Sequence, residues 1–417
     1  MRLALWSPRP EAPERSWVTT LRPPLSREVA LLPVEEAPSA PPAVDLDLYE
    51  IADDPAHAFV YHAALLRPGV VILRDWSLHG LVAHATLGAG DPASYLREMR
   101  RAHGETGGFV GRQVARGLAG RLLPSLLAVN DRLLEQALGV IGPTADIAHR
   151  AARRLSGRPT LELPLDLLLP PMPVPARDAA RGSLGLPREA LGVAVAAEDA
   201  ETARLPAALR ALARLRRSRP SLRVIRLGPA DGLESALLAT GPLSPASLVE
   251  WLAAADVVVA LRFPARGGRP EVLVRAFEAG RPVLVTAGTP EAEESPAGTV
   301  VPIDPDHAED AELEGMLAHL LDHAELRARV GAAAREHLDA SRRPEVATAR
   351  LLAFLRTVAA GKDEALRALA ADQADERTLL GYAMEEVRWG ARDLGLLGAR
   401  LGLEPLLADL LGRPGSR

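Results

Sequence analysis

Two short stretches place polar side chains where chemistry is usually done. Asp53, Asp54 and His57 follow the apolar run VDLDLYEIA at residues 44–52, and Asp75, Trp76 and His79 follow GVVIL at residues 69–73. Carboxylates and imidazoles so placed can orient a hydroxyl group, take its proton, or donate to an oxygen. In an open α/β sheet the ligand crevice lies outside the carboxyl ends of the strands. Asp53, Asp54, His57, Asp75 and His79 are therefore expected to face one cleft. A structural alternative stands beside each role. Asp75 suits a cap for a helix entered through Trp76 and Ser77, His79 suits a partly buried face, and His57 packs equally well between helix and sheet.

For these residues to meet, the segments before them must be parallel strands joined by helices. Asp53-Asp54-Pro55 supplies a cap and a first-turn proline for a helix running to about residue 67. Pro68-Gly69 ends it, and the continuous β-branched GVVIL suits a parallel strand covered on both faces. A first strand is expected at residues 2–6. A proline-rich passage follows through residue 42, holding a strand at 29–34 and a linker at 35–43. Further on come a helix at 92–103, an arginine-studded helical stretch at 112–138 broken near Pro124, and a short strand at 139–141. The first domain is expected to span residues 1–158.

A proline- and leucine-rich connection at 161–175 leads into a second series, with strands at 192–197, 222–228, 256–261, 282–286 and 299–303. Helices at 205–217, around 245–255 and over EVLVRAFEAG separate them. Such alternation specifies parallel sheets, so the fold class is α/β with two Rossmann-like lobes, the second at 159–361. Residues 313–355 read as mostly helix. A helical tail at 362–417 exceeds what the repeat requires. Its apolar spacing at 394–411 gives it a face to bury, on its own protein or on a partner.

Composition narrows the partners. The 417 residues have room for two cores. A formal charge of −5 without a long basic run argues against a nucleic-acid surface or an anionic membrane patch, leaving small molecules or proteins. The absence of cysteine excludes disulfides and thiolate metal sites. MRLALWSPRP is too short for a signal-peptide core, and no segment approaches the ~20 apolar residues of a membrane span. No transmembrane segment and a cytoplasmic location are expected. The histidines lack the paired spacing of a metal site, and Glu291, Glu293 and Glu294 read as a solvated loop. No Walker loop, nucleophile elbow or dinucleotide fingerprint appears.

Residues 49–81 resemble the amino-terminal domain of family 4 glycosyltransferases of bacterial polysaccharide pathways. That pattern reads roughly Y-Q-x-G-N-x-P-x-H-A-F, then H-P-G-V-V-V-L-H-D-x-x-L-H-H-L. The block GPLSPASLVEWLAAADVVVALRFPARGGRPEVLVRAFEAGRP at 241–282 resembles the family's nucleotide-sugar domain, and LGLP at 184–187 and LALWSPRP at 3–10 extend the likeness. The resemblance implies a GT-B fold whose terminal helices, here the tail, pack back on the first lobe. It implies transfer of a hexose from a nucleotide diphosphate sugar to a glycan or lipid-linked acceptor, with no metal or other cofactor required. It assigns Asp75 and His79 to catalysis and Asp53, His57 and Trp76 to the acceptor side. Arg204, Gly267, Gly268, Glu271 and Arg275 fall to the donor.

The chain departs from that pattern at several points. The family's S-G-I-A-x-Y turn after the first strand is replaced by EAPERSWVTT, without glycine. F-G-x-x-x-x-x-K-R becomes AAEDAETAR at 196–204, where Arg204 alone keeps a cation and Glu198, Asp199 and Glu201 oppose a diphosphate. The family's G-E-T-S-G becomes Gly267-Gly268-Arg269-Pro270-Glu271, and its later acidic position falls near Arg275. With a single lysine, Lys362, any cationic role at the sugar diphosphate passes to arginine. An alternative is a catalytically degenerate homologue that binds a glycan or a partner protein; an isomerase or epimerase on the same architecture has no residues to support it.

Overall fold

The computed structural model describes residues 1–374 except 11, 119, 121, 156, 198–202, 229–237, 266 and 307. The chain divides into a unit Met1–Ala360, which carries both sheets, and a unit beginning at Gly361. The first sheet contains β1 (Arg2–Trp6), β2 (Ala30–Val34), β3 (Leu46–Ile51), β4 (Val70–Leu73), β5 (Gly139–Gly142) and β6 (Thr160–Glu162). Its order is β2-β1-β3-β4-β5-β6, parallel throughout. The second contains β7 (Gly192–Ala196), β8 (Arg223–Leu227), β9 (Leu238–Ala239), β10 (Val257–Val259), β11 (Val283–Thr286) and β12 (Val301–Ile303). Its order is β12-β11-β10-β7-β8-β9, also parallel. Strand order reverses beside β1 and β3 in one lobe and between β7 and β10 in the other, so each lobe has its crevice there.

Burial explains the elements. Every residue of β3 and β4 is buried, as is every residue of β10 and β11, because helices cover both faces of each sheet. Each buried Val, Leu or Ile side chain contributes about 1.5–3 kcal/mol. Two charges are enclosed with the apolar residues of β3, Asp47 and Glu50, both 3% exposed. Each has partners: Asp47 accepts from Trp6 Nε1 at 2.8 Å and Arg67 Nη2 at 2.9 Å.

Three elements differ from expectation. A helix, Trp17–Glu28, occupies part of the proline-rich passage even though Pro23 and Pro24 lie inside it. Ser16 caps it by accepting from Val18 N, and Trp17, Leu21 and Leu25 bury one face at four-residue spacing. The first sheet also continues past residue 158, because β6 pairs with β5, so the lobe boundary moves into the connection. Finally, the helix Pro344–Ala374 runs through the boundary expected at 361. Its Phe354 and Val358 lie against Gly139 of β5, and Arg350 Nη2 donates to Glu162 O at 2.7 Å. The return to the first lobe is thus made before the expected tail begins. Residues 375–417, including the apolar segment at 394–411 and its expected packing, lie outside the described residues. Among the described residues no helix is long and apolar enough to cross a membrane.

Candidate active site between the lobes

A cavity of about 300 Å3 opens at the crevice of the second sheet. Ala196 at the end of β7 and Ala260, Leu261 and Arg262 after β10 form one side. Arg74 and Asp75, immediately after β4, face them from the first lobe, and Asp166 reaches in from the connecting turn Leu165–Leu168. Gly268 to Val272, which open the helix Glu271–Glu278, complete the wall. Of the residues singled out in the sequence, Asp75, Gly268 and Glu271 line this cavity; Asp53, His57, Trp76, His79, Arg204, Gly267 and Arg275 do not.

The first-lobe wall is held by a chain of carboxylates. Asp75 Oδ2 accepts from Asp53 N at 3.0 Å, and Asp53 Oδ1 accepts from Leu81 N at 2.7 Å, so Asp53 caps the helix His79–Thr86. Asp54 likewise caps the turn Pro55–His57, accepting from Ala56 N at 2.7 Å. Glu50 Oε1 accepts from Trp17 Nε1 at 2.8 Å and Arg74 Nη1 at 3.3 Å, and Oε2 accepts from Ser7 Oγ. Burial opposes the charge of Arg74, but Glu50, Asp166 and Asp75 outweigh it and hold its pKa above the usual arginine value. Burial pushes Asp166 above the ordinary carboxylate range, against the pull of Arg74 and Arg269.

His79 does not face the cleft. It is 2% exposed, with Nδ1 3.0 Å from Leu127 O and Nε2 2.6 Å from Tyr95 Oη. Burial lowers its pKa, and its contacts with Leu127 and Tyr95 fit the partly buried face read from sequence rather than a place in the cavity wall. His57 is 6% exposed, its pKa lowered chiefly by burial; its Nδ1 has no hydrogen-bond partner among the described residues. Trp76 carries the Arg150 guanidinium 5.6 Å from its ring centroid and accepts from Asn130 Nδ2 through its carbonyl.

On the second lobe, the glycine pair is not an open phosphate cradle. Gly268 N donates to Arg74 O at 3.0 Å, and Gly267 forms an antiparallel bridge with Asp75. The pair therefore clasps the first lobe with the amide that was expected to meet a phosphate. Arg275 has no exposed side-chain surface. It donates to Glu278 Oε2 and Pro170 O at 2.8 Å, to Glu14 O at 2.6 Å and to Glu271 Oε1 at 3.3 Å, so it cannot also reach a donor. Glu271 Oε2 is 3.1 Å from Arg15 Nε of the first lobe. Arg204 gives two N–H groups to Glu309 and lies 5.9 Å from the Phe263 ring centroid. The hydrogen bond to Glu309 is the main cause of its raised pKa. Glu198, Asp199 and Glu201 lie outside the described residues.

Four polar cavity residues, Arg74, Asp166, Arg262 and Arg269, were not singled out as ligands from sequence. Arg262 Nη1 donates to Glu291 Oε1 at 2.9 Å and to Gly268 O at 3.2 Å. Arg269 Nη2 donates to Glu294 Oε2 at 2.7 Å, its N donates to Asp166 Oδ2 at 2.8 Å, and its Nη1 is buried without a partner among the described residues. Glu291, 2% exposed, and Glu294 are thus ion-paired and not the solvated loop expected. Glu294 also crosses the cleft, accepting from Ala145 N at 2.8 Å at the start of the helix Ala145–Arg154. Burial raises its pKa. The one available sequence signal was the strand-end rule, which applies to Arg262 after β10 as it does to Asp75 after β4.

No protein-family model matches the chain, and no curated protein sequence does. Solved structures do match it. Sucrose-phosphate synthase from Thermosynechococcus elongatus superposes with a TM-score of 0.54 at 14% identity, covering 87% of this chain and all of its own. WaaG, a glycosyltransferase involved in lipopolysaccharide biosynthesis, gives 0.51 at 16% identity over 83% of this chain and 98% of its own. Anabaena HepE in complex with UDP and glucose gives 0.50 at 16% identity over 85% and 99%. With two parallel six-stranded sheets meeting at a cleft, the chain has the GT-B fold of these glycosyltransferases.

Proposed function

We propose that the protein is a cytoplasmic glycosyltransferase of the family 4 type, moving a hexose from a nucleotide diphosphate sugar to a glycan or lipid-linked acceptor. The observation that carries this reading is the inter-lobe cavity at the β7/β10 switch point, with Arg262 and Arg269 on the donor side and Asp75 opposite. A departing diphosphate needs positive charge fixed in advance, and guanidinium groups match phosphate oxygens in shape and charge. In this reading the two arginines supply that charge, so no metal is required. Asp75, already oriented by Asp53 N, accepts the acceptor hydroxyl as the sugar moves. Arg204 joins the donor only by leaving Glu309.

A second reading, a homologue that binds a glycan or a partner protein without transfer, is favoured by the buried Arg275 at the family's acidic position. One experiment separates the two. UDP, GDP, ADP and their hexose conjugates are titrated by calorimetry into wild type, Arg262→Gln and Asp75→Asn, and transfer to a crude glycolipid pool is followed in parallel. Arg262→Gln is expected to lose about 1.5–3 kcal/mol of donor affinity, and Asp75→Asn to keep affinity while losing transfer. Silence across the panel, or transfer undiminished in Asp75→Asn, would defeat the first reading.

A further inference from the structure

At the opposite edge of the second sheet, where Asp256 precedes β10 and Pro282 precedes β11, lies a separate recess of about 360 Å3. Its wall carries Arg177, Arg281 and Arg327, and Asp256 is its one acid among the described lining residues. That acid is already satisfied. Oδ2 accepts from Arg181 Nη2 at 2.8 Å and Gly192 N at 2.7 Å, and Oδ1 accepts from Arg177 Nε at 3.0 Å. Arg181, 1% exposed, lies beneath and spends its other N–H groups on the carbonyls of Ala254, Pro187, Arg188 and Ala190. It neutralises Asp256 from inside, which leaves the recess positive. Asp178 touches Arg177 only at 3.6 Å from a largely exposed position, where water screens the pair.

The remaining partners carry no charge. Arg327 Nη1 donates to Leu320 O at 2.6 Å and Leu321 O at 2.7 Å, near the end of the helix Glu309–Asp322. Arg281 Nη2 donates to Ala253 O at 2.7 Å, while its Nε is buried with no partner among the described residues. Burial, with Arg177, Arg181 and Arg327 nearby, holds the Arg281 pKa below the usual arginine value against the pull of Asp256. Carbonyl capping accounts for Arg181 and Arg327. Arg177 Nη1 also donates to Arg188 O at 3.2 Å, so Arg177 and Arg281 each give one N–H to a carbonyl, and neither carbonyl offsets the charge they bring to a recess with one acid among its described lining residues.

We propose that this recess is an anion site for inorganic phosphate or a small phosphate monoester, held by Arg177, Arg281 and Arg327. A phosphate supplies acceptors for several guanidinium groups at once and offsets their mutual repulsion. Its several oxygens can be shared among the three guanidinium groups of the wall, and its affinity falls as salt screens the charges.

Inorganic phosphate is titrated by calorimetry, at low and high sodium chloride, into wild type, Arg281→Gln, Arg177→Gln and Arg327→Gln. Because phosphate can also enter the inter-lobe cavity, Arg262→Gln is the control, and circular dichroism verifies that each variant is folded. Saturable binding is expected in wild type and in Arg262→Gln, weakened about tenfold or more in Arg281→Gln and Arg177→Gln. Binding lost in Arg262→Gln but kept in Arg281→Gln and Arg177→Gln would overturn the assignment, as would no saturable binding by wild type. A parallel arm sediments wild type and Arg281→Gln with phosphatidylglycerol vesicles. Vesicle binding that needs Arg281, without binding of free phosphate, would assign the recess to a lipid headgroup and overturn the soluble ligand.

Discussion

Arg275 sits where the resembled family carries an acidic residue, and its surroundings show that the exchange is more than local. The guanidinium ties together the helix Glu271–Glu278, the connecting segment at Pro170 and the first lobe at Glu14. Arg275→Met leaves Glu278 with Arg342 and Met172 N, and Glu271 with Arg15, as remaining partners. Breaking such a buried network is expected to lower the unfolding free energy by about 3–5 kcal/mol, read by urea denaturation. Arg275→Glu, which returns the family's acid, adds a third carboxylate beside Glu271 and Glu278 and should be at least as damaging. A stable Arg275→Glu protein with improved UDP affinity would show instead that an acid at this position can serve a donor site. Residue roles were partly legible in the sequence. Asp75 could be placed by the strand it follows, but Arg262 with Glu291 and Arg269 with Glu294 are pairs 29 and 25 residues apart that only the fold brings together. His79 misled because a histidine near a strand end looks the same in sequence whether it faces a cleft or Tyr95.

The loop Gly267–Gly268 replaces an open glycine turn with a clasp, and here the absence of side chains is a matter of space. A Cβ at Gly267 would stand 2.7 Å from Asp75 Cα and 2.8 Å from Arg74 O, both backbone atoms that cannot swing aside. At Gly268 it would meet Asp166 Oδ2 at 2.6 Å. Gly267→Ala should therefore lift the loop from β4 and expose the amide of Gly268, with faster hydrogen exchange at residues 268 and 269 and little change in the strands. Unchanged exchange would mean that the loop shifts as a unit and keeps its bond to Arg74. The strands themselves were well marked, because a buried parallel strand is a continuous apolar run bounded by turn residues. The short edges β6 and β9 were not, since TLE and LA carry no such run and exist through pairing with β5 and β8. The helix Trp17–Glu28 was hidden by Pro23 and Pro24, whose usual meaning is overridden by burial of Trp17, Leu21 and Leu25.

Across the unit Met1–Ala360, several contacts hold the two lobes against each other around the cavity. Besides the glycine clasp, Arg15 Nη2 donates to Leu243 O at 2.6 Å while its Nε meets Glu271, and Glu294 caps Ala145 N. In the enzyme reading a nucleotide sugar enters between these lobes, so the contacts set how often the cleft is open. An Arg15 bridge with 43% of its side chain exposed is worth at most about 1 kcal/mol, and the Glu294 cap about 1 kcal/mol more. Removing both, in Arg15→Ala with Glu294→Ala, changes a loss of about 2 kcal/mol into a roughly thirtyfold rise in the open-to-closed ratio. The chain has no cysteine, so Arg97→Cys on the first lobe and Glu189→Cys on the second give a clean pair of dye positions. Single-molecule energy transfer should show one narrow distribution in the parent and a second, longer-distance population in the double variant. In the enzyme reading, saturating UDP should then associate faster with the variant, since opening no longer limits entry. A parent already divided between two distances would show that these contacts do not hold the lobes closed, and a variant identical to a single-distance parent would show that closure rests on the glycine clasp and the Arg275 network alone.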